Sequence, residues 1–276
     1  MFEIMLYPFL TLIGISLLSG AYGCQMVWHR VACLGDALSH GALLGLAVGA
    51  LAGLNEDISL LILSVVWAFF LWFLTKNKQN TLDTIMAFLM QASMSLAIVL
   101  FSLSNGGQGH SALMHAFLGD ILIVSKNEFF HLLILDLILG FVLITCWKKW
   151  VLMAISPDLA KAQKIPLNLF QFIFFVAVGF FVAVALKFMG ALLAPAFFII
   201  PALAARPISN TPEKMAFFAT LIAIASSALG LWLSFVLDLP VGAIVVVVCL
   251  IFYILVVFYG VIKNILRKKG SYSKKL

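Results

Sequence analysis

The stretch GDALSHGALLGLAVGALAG, residues 35–53, places an aspartate and a histidine in an apolar run long enough to span a bilayer. Asp36 and His40 are four residues apart, so a helix places them on one face. Ionisable side chains at bilayer depth cost roughly 2.5–3.5 kcal/mol each on insertion scales and commonly mark an ion path. Carboxylate and imidazole are ligands that suit zinc and manganese. The pair therefore predicts either a metal path or an Asp–His hydrogen bond between two helices.

The composition of the whole chain is that of an all-α polytopic membrane protein. Hydrophobic residues make up 64% of the sequence, charged residues make up 10%, and the mean hydropathy is +1.17. We expect one transmembrane domain, residues 1–276, with about eight or nine spanning helices. The apolar runs are 6–28, 36–54, 57–75, 82–104, 129–147, 168–186, 189–205, 215–237 and 240–262.

The basic residues predict the orientation of these runs. With nine spans, all of the 17 lysines and arginines except Lys126 and Lys187 fall on one side. The side rich in lysine and arginine is cytoplasmic in membrane proteins, so the C-terminus is expected there. Nine spans place the N-terminus outside the cell, whereas eight spans, with one re-entrant run, place it inside. The net charge of +6 is thus a topology signal and does not indicate nucleic acid binding.

The segment QGHSALMHAFLGDILIV, residues 108–124, is too short and too polar to cross the bilayer twice. We expect a re-entrant or interfacial segment that lines the external vestibule, because irregular backbone at membrane depth needs cover from protein or water. His110 and His115 are candidate metal-collecting residues at this mouth. Asp120, after a glycine, is a candidate turn residue near the path.

A row of glycines follows the Asp36/His40 pair at four-residue spacing. Small residues at this spacing let helix backbones approach closely, so the row predicts a helix-packing surface that holds the pair in place. The glycines are Gly41, Gly45, Gly49 and Gly53.

Other polar residues are weaker candidates. Glu128 and His131, three apart at the outer end of a run, are expected to form an interfacial pair, with metal ligation as the alternative. Asp136 lies deeper in the same run and calls for a partner that the sequence does not name. The four cysteines form no CxxC pair and are expected to be buried thiols.

The segment PALAARPISNTPEKM, residues 201–215, interrupts two apolar runs on the basic side. Pro207 ends the preceding helix, and Ser209 or Thr211 can cap a short new helix that begins at Pro212. We therefore expect a compact cytoplasmic helix, which is either a plain connection or a docking element for a partner.

Sequence motifs for enzymatic activity are missing from the chain. It contains no GxxxxGK[ST], HExxH or GxSxG pattern. The chain is therefore expected to be a transport component without an ATPase site, and the energy for transport must come from a partner or a gradient.

Several blocks, in order and over nearly the whole chain, resemble the permease subunits of ABC importers for zinc, manganese and iron, and among these the high-affinity zinc permeases of Gram-negative bacteria. The blocks are HRVACLGDALSHGALLG (29–45), FLGDIL (117–122), ISPDLA (155–160), KFMGALLAPAFFIIPALAAR (187–206), TPEKMA (211–216) and LDLPVGAIVV (237–246).

The resemblance implies a homodimer in the bacterial inner membrane, with two cytoplasmic ATPase subunits and an extracytoplasmic metal-binding protein. Asp36 and His40 match the DxxxH pair of the translocation path, with Zn²⁺ as transported substrate and no permanent cofactor. His110, His115, Glu128 and His131 are not part of the family pattern. The residues assigned to coupling with the ATPase are Arg206, Pro207, Ser209, Thr211, Glu213 and Lys214.

Three alternatives remain open from the sequence. Manganese or iron permeases share the DxxxH pair. A proton-coupled secondary transporter would use Asp36 and Asp136 as proton carriers, although no internal repeat is evident. An intramembrane metalloenzyme would need about three protein ligands and a general base, and the sequence shows one two-ligand cluster.

Overall fold

The computed structural model describes residues 2–76, 81–104, 114, 116–117, 119 and 124–273, with side chains between residues 6 and 260 of these ranges except Ser104. The regular structure of these residues is helical. The helices are α1 (Phe2–Trp28), α2 (Leu34–Ala52), α3 (Glu56–Thr75), α4 (Leu82–Ser104), α5 (Lys126–Ile155), α6 (Pro157–Ala162), α7 (Leu167–Met189), α8 (Ala194–Ala205), α9 (Pro212–Leu237) and α10 (Val241–Ser273).

Eight of the described helices are long and apolar enough to cross a membrane, which confirms the expected all-α membrane bundle. The apolar run 189–205 is the exception, since it contains only the 12-residue helix α8. A 3₁₀ turn, Arg206–Ile208, continues α8 before the chain enters α9.

The short helix α8 nevertheless carries the chain from one end of the bundle to the other. A Cβ on Gly242, at the start of α10, would lie 2.9 Å from the Met189 carbonyl oxygen, and one on Gly260 would lie 3.7 Å from Pro207 Cβ. Eighteen helical residues separate the two glycines, which corresponds to about 27 Å. The described helices therefore make nine passes through the bundle, eight in long helices and one through α8.

The two ends of the bundle are named here by the residues that mark them. At the Lys187 end, Lys187 pairs with Asp57 and Glu128, which lie in the first turns of α3 and α5. At the Arg206 end, Arg206 lines a cavity together with Arg30 and Pro212. The rings of Tyr7 and Phe129 are 5.8 Å apart, so α1 begins at the Lys187 end. The described N- and C-terminal residues thus lie at opposite ends.

Helix α8 can be short because protein surrounds it. Its side chains are mostly buried, and Phe198 stacks on Phe181 of α7 with ring centroids 4.7 Å apart. Phe181 in turn stacks on Tyr22 of α1. Pro201 inside α8 removes a backbone donor, which a membrane bundle tolerates where neighbouring helices cover the backbone.

Glycines on α2 allow it to lie directly against α3. A Cβ on Gly41 or Gly49 would collide with Trp67 or Ser59 of α3, and one on Gly45 would lie 2.7 Å from Leu63 Cβ. Gly53 has a different role from the packing role expected for the whole row. A Cβ there would meet nothing within 4 Å, and its φ of +64° ends α2 in the left-handed conformation that glycine favours.

Replacing Gly45 by leucine should destabilise the bundle, because the added side chain must displace the α3 backbone. Overpacking typically costs about 1–3 kcal/mol, so the denaturation temperature of the purified protein in detergent should fall clearly. Ala50→Leu is the matched control, since Ala50 is exposed on the same helix. Equal denaturation temperatures for Gly45→Leu and the parent would show that α2 does not depend on this contact.

Candidate metal path

The start of α2 is fixed by a tight connection from α1. The Val31 N–H donates to the Met26 carbonyl at 2.9 Å, and the Leu34 N–H donates to the Val31 carbonyl at 3.0 Å. Arg30 adopts a positive φ of 57°, an uncommon conformation for a residue other than glycine. This connection places Asp36 in the first turn of α2, where the helix dipole favours a negative charge.

Asp36 and His40 are both half-buried and face the same side of α2. They interact electrostatically, and no hydrogen bond joins their side chains. The His40 ring lies beside the backbone carbonyl of Met90 on α4, and its Nδ1 atom is buried without a hydrogen-bond partner. A neighbouring carbonyl is the usual second contact that orients a metal-binding imidazole. His40 is therefore oriented by a neighbouring helix, and its Nδ1 atom is without a hydrogen-bond partner.

Asp36 and His40 are two candidate metal ligands in one copy of the chain. Among the described residues, no group of three or more histidine, cysteine, aspartate or glutamate side chains is close enough to hold a metal ion. A tetrahedral zinc site takes four ligands in structural sites and about three plus water in catalytic ones. The Asp36/His40 pair thus requires further ligands from outside this part of the chain.

Cys33, the residue before α2, differs from the other thiols. Cys24, Cys146 and Cys249 are buried, whereas Cys33 is exposed, so the expectation of four buried cysteines was wrong for this residue. Partial burial, followed by the nearby carboxylates of Asp36 and Asp83, raises the pKa of the Cys33 thiol. Its position at the polar N-terminus of α2, and not the apolar residues around it in sequence, sets its exposure.

A charged network at the Lys187 end was not anticipated from the sequence. The Lys187 Nζ atom donates to Asp57 Oδ1 at 2.8 Å and to Glu128 Oε1 at 2.7 Å. Glu128 also accepts from the backbone N–H of Ser125, completing a capping box at the start of α5. A cavity of about 270 Å³ lies beside this network, and His131 lines it together with Lys187 and Glu128, but His131 is exposed and makes no pair with Glu128. The sequence signal for this network is Lys187, a single lysine at the end of an apolar run.

Three of the candidate residues near the outer mouth lie outside the described residues: His110, His115 and Asp120. Of their neighbours, Gly119 is described. Its φ is +71°, and a Cβ there would collide with the Gly190 backbone.

The segment 206–214 does not form the separate short helix that the sequence predicted. Arg206 and Pro207 lie in the 3₁₀ turn, and the Ser209 hydroxyl donates to the Ala205 carbonyl at 2.7 Å. Thr211 caps α9 itself by accepting from the Lys214 N–H. Pro212 and Glu213 therefore begin a long spanning helix, because no second break follows them in the sequence.

Asp136 lies away from the Asp36/His40 pair. It packs against α1, where a Cβ on Gly14 would lie 2.5 Å from its Oδ2 atom. The two intramembrane acids thus face different helices of the bundle.

Among the described residues, eight helices of membrane length define a polytopic membrane protein, with the Asp36/His40 pair on one of them. A family model described as "ABC 3 transport family" matches residues 1–260. The chain belongs to this family.

Individual relatives and a solved structure agree with this family membership. The chain is 32% identical over 258 residues to the high-affinity zinc uptake system membrane protein ZnuB of Haemophilus influenzae, covering 94% of this chain and 98% of the relative. It is 24% identical to the manganese transport system membrane protein MntC of Halalkalibacterium halodurans, covering 95% and 90%. PsaBC from Streptococcus pneumoniae in complex with Fab has a chain of similar fold, with a TM-score of 0.81, 22% identity and coverage of 92% and 90%.

The network at the Lys187 end predicts a graded loss of stability. Glu128→Gln keeps a capping side chain and loses the ion pair, which is partly exposed and worth up to about 1 kcal/mol. Glu128→Ala also loses the cap, which costs about 0.3–1.5 kcal/mol more. Thermal denaturation should rank the parent above Glu128→Gln and Glu128→Ala lowest. The reverse order of the two variants would contradict the capping role.

Proposed function

We propose that this chain is the membrane-spanning permease subunit of an ATP-driven importer for divalent metal ions, with Zn²⁺ as the cargo. The observation that carries the proposal is the half-buried Asp36/His40 pair, which is held on one face of α2 and has a free imidazole nitrogen. Membership of the ABC 3 transport family and the likeness to zinc permeases support it.

The permease works as a homodimer in which each copy contributes Asp36 and His40. Two ligands from each of two copies give the four-ligand sphere that zinc prefers. Apolar faces on the outside of the bundle leave room for a second copy and for lipid, since Leu137, Phe141 and Ile144 on α5 are between 66% and 78% exposed.

The Arg206 end faces the cytoplasm of a bacterium, and the bundle lies in the inner membrane. Basic residues support this orientation, because Lys76 and Arg206 directly follow helices that end there, Lys149 lies in the last two turns of α5 and Lys161 lies in α6. Nine passes then place the N-terminus outside and the C-terminus in the cytoplasm. An extracytoplasmic binding protein delivers the metal at the Lys187 end.

Hydrolysis belongs to cytoplasmic ATPase subunits, since the sequence has no P-loop. The coupling surface is the segment 206–214, which is largely exposed and continues directly into α8 and α9. A cavity of about 280 Å³ lies beside it, lined by Arg30, Ile155, Arg206 and Pro212 among others. Helices α8 and α9, which flank the segment, both pack against α1, so a push on the segment reaches α1 through them.

Helix α6 is a second candidate for the coupling surface, and its exposure favours it. Pro157, Asp158 and Leu159 are exposed at the Arg206 end, and the Ser156 hydroxyl caps the helix by accepting from the Leu159 N–H. The helix begins two residues after Ile155, which lines the same cavity as Arg206.

The nature of the metal follows from the ligand set only in part. Two imidazoles and two carboxylates suit Zn²⁺ and are also compatible with Mn²⁺. The greater identity to zinc permeases than to manganese permeases favours zinc. Competition of unlabelled Mn²⁺ and Zn²⁺ for uptake of radioactive zinc separates the two.

Removing either ligand of the pair should abolish metal uptake. Asp36→Asn and His40→Gln preserve size and hydrogen bonding but lose a ligand, and loss of even a second-shell contact lowers metal affinity by about 10–100-fold. Radioactive zinc uptake by cells with equal permease in the membrane should fall to the background level.

Two control variants test whether the loss of any carboxylate or imidazole is enough to abolish zinc uptake. Glu56→Gln removes an exposed carboxylate at the start of α3, and His131→Gln removes an exposed imidazole. Both should transport zinc like the parent. Normal uptake by Asp36→Asn and His40→Gln would refute the metal path.

A cysteine at Ser209 should cross-link to the ATPase in membranes, whereas in the absence of the ATPase no adduct should form. The experiment uses a Cys33→Ser background, because Cys33 is the exposed thiol among the four. Leu159→Cys, which is 56% exposed on α6, is the parallel probe. Cross-linking at Leu159 alone would move the coupling surface to α6 and overturn the assignment of 206–214.

A further inference from the structure

Buried polar atoms without hydrogen-bond partners concentrate between α1 and α5. Eight such side-chain atoms occur among the described residues, and five of them belong to Thr11, Gln25, His29 and Asp136. Gln25 is fully buried with both amide atoms unpartnered, and Thr11 is 3% exposed. Buried polar groups in native proteins nearly always have a partner, which is ordered water where protein supplies none.

These residues follow one face of α1. At 100° per residue, Thr11, Leu18, Tyr22, Gln25 and His29 fall within one narrow strip of the helix. The strip faces α5, because the Tyr22 O–H donates to the Leu139 carbonyl at 2.9 Å. We call this contact between α1 and α5 the α1–α5 seam.

Helix α5 contributes an acid and open space to the α1–α5 seam. The carboxyl group of Asp136 fits against α1 only because residue 14 is glycine, and no ion pair reaches it in the described part of the chain. One turn further along, a Cβ on Gly140 would meet only Leu18, at 3.7 Å. The missing side chain of Gly140 therefore leaves space between Asp136 and the Tyr22–Leu139 hydrogen bond.

The two ends of the α1–α5 seam differ. Beyond Gln25, His29 lines a cavity of about 210 Å³ at the Arg206 end. Burial lowers the pKa of His29 to about 4, so at neutral pH one ring nitrogen is an acceptor. At the Lys187 end, Tyr7 and Phe129 pack together beyond Thr11 and close the seam with aromatic rings.

We propose that the α1–α5 seam binds a file of water molecules that connects Asp136 to the Arg206 end of the bundle and to that end alone. The distance from His29 to the level of Gly14 is about 22 Å along α1. Such a file lets a buried acid exchange protons with one side of the membrane, as chains of acids and histidines do in pumps. The site is separate from the Asp36/His40 metal path.

The native cysteines provide a direct test. Cys146 borders the seam, where it interacts electrostatically with Tyr22, and is 8% exposed, whereas Cys24 and Cys249 are fully buried elsewhere in the bundle. The side from which Cys146 reacts and the effect of Gln25→Leu therefore carry the test. Silver ion, a small thiol-reactive cation that travels with water, is added to vesicles of either orientation that contain the permease–ATPase complex with Cys33→Ser. Blocked thiols are then counted by mass spectrometry.

Silver added at the Arg206 end should block Cys146 before Cys24 and Cys249, and silver at the other end should not. Gln25→Leu should slow the reaction of Cys146 several-fold, while Gln91→Leu, on the exposed face of α4, should leave it unchanged. Equal reactivity of Cys146 and Cys249, equal reaction from both ends, or no effect of Gln25→Leu overturns the proposal.

The reach of the file to Asp136 needs its own probe. Asp136→Cys in the same background should react with silver from the Arg206 end, and its neighbour Leu137→Cys, which is 66% exposed on the outer face, should not. If these variants fail to fold, radiolytic hydroxyl labelling of the unmutated complex tests for bound water in the α1–α5 seam. With each rate divided by the intrinsic reactivity of its side chain towards hydroxyl radical, Tyr22 beside bound water should oxidise faster than Phe198, although both are 0% exposed, and equal normalised rates overturn the file. None of these readouts depends on zinc transport.

Discussion

The cost of keeping polar groups inside an apolar bundle is the constraint on which this structure depends. Each ionisable group at bilayer depth costs a few kcal/mol on insertion scales, so it persists where a substrate, water or a partner uses it. The described interior holds two carboxylates of this kind, Asp36 and Asp136, on different sides of the bundle. The charges at the ends behave differently, since Lys187 satisfies two acids and their helix termini at once.

Backbone packing gives the Asp36/His40 pair its fixed place. Gly41, Gly45 and Gly49 bring α2 against α3, while the Met90 carbonyl on α4 lies beside the imidazole. The helix that carries the pair is therefore held by its neighbours, and the His40 Nδ1 atom has no hydrogen-bond partner. A mobile Asp36/His40 pair would bind a cation more weakly, because its side chains would lose conformational freedom on binding.

Much of this architecture is readable in the sequence. Hydropathy predicts the long helices, and the four-residue spacing predicts that Asp36 and His40 lie on one face of a helix. The basic residues indicate at which end of the bundle each loop lies. Hydropathy does not reveal that α8 is short. The run 189–205 is apolar enough to span a membrane, but turns at Gly190 and Arg206 end the helix on both sides. Its cover by α1, α7 and neighbouring helices is a tertiary property.

Contacts between residues far apart in the sequence could not be predicted from local sequence patterns. The pairing of Lys187 with Asp57 and Glu128 joins residues 130 and 59 positions apart. Gly53 shares the spacing of the packing glycines but ends the helix, and Thr211 caps a spanning helix instead of a short one. Cys33 is exposed because the chain turns there, which its apolar neighbours do not reveal.

The X-ray absorption spectrum of zinc bound to the purified permease tests the central claim most directly. A sphere of imidazole and carboxylate ligands from two copies predicts nitrogen and oxygen scatterers at about 2.0–2.1 Å with the multiple-scattering pattern of imidazole, lost in His40→Gln. Sulfur scatterers at about 2.3 Å, which would implicate Cys33, or an imidazole pattern that survives in His40→Gln, would contradict the assignment of Asp36 and His40 as the metal path.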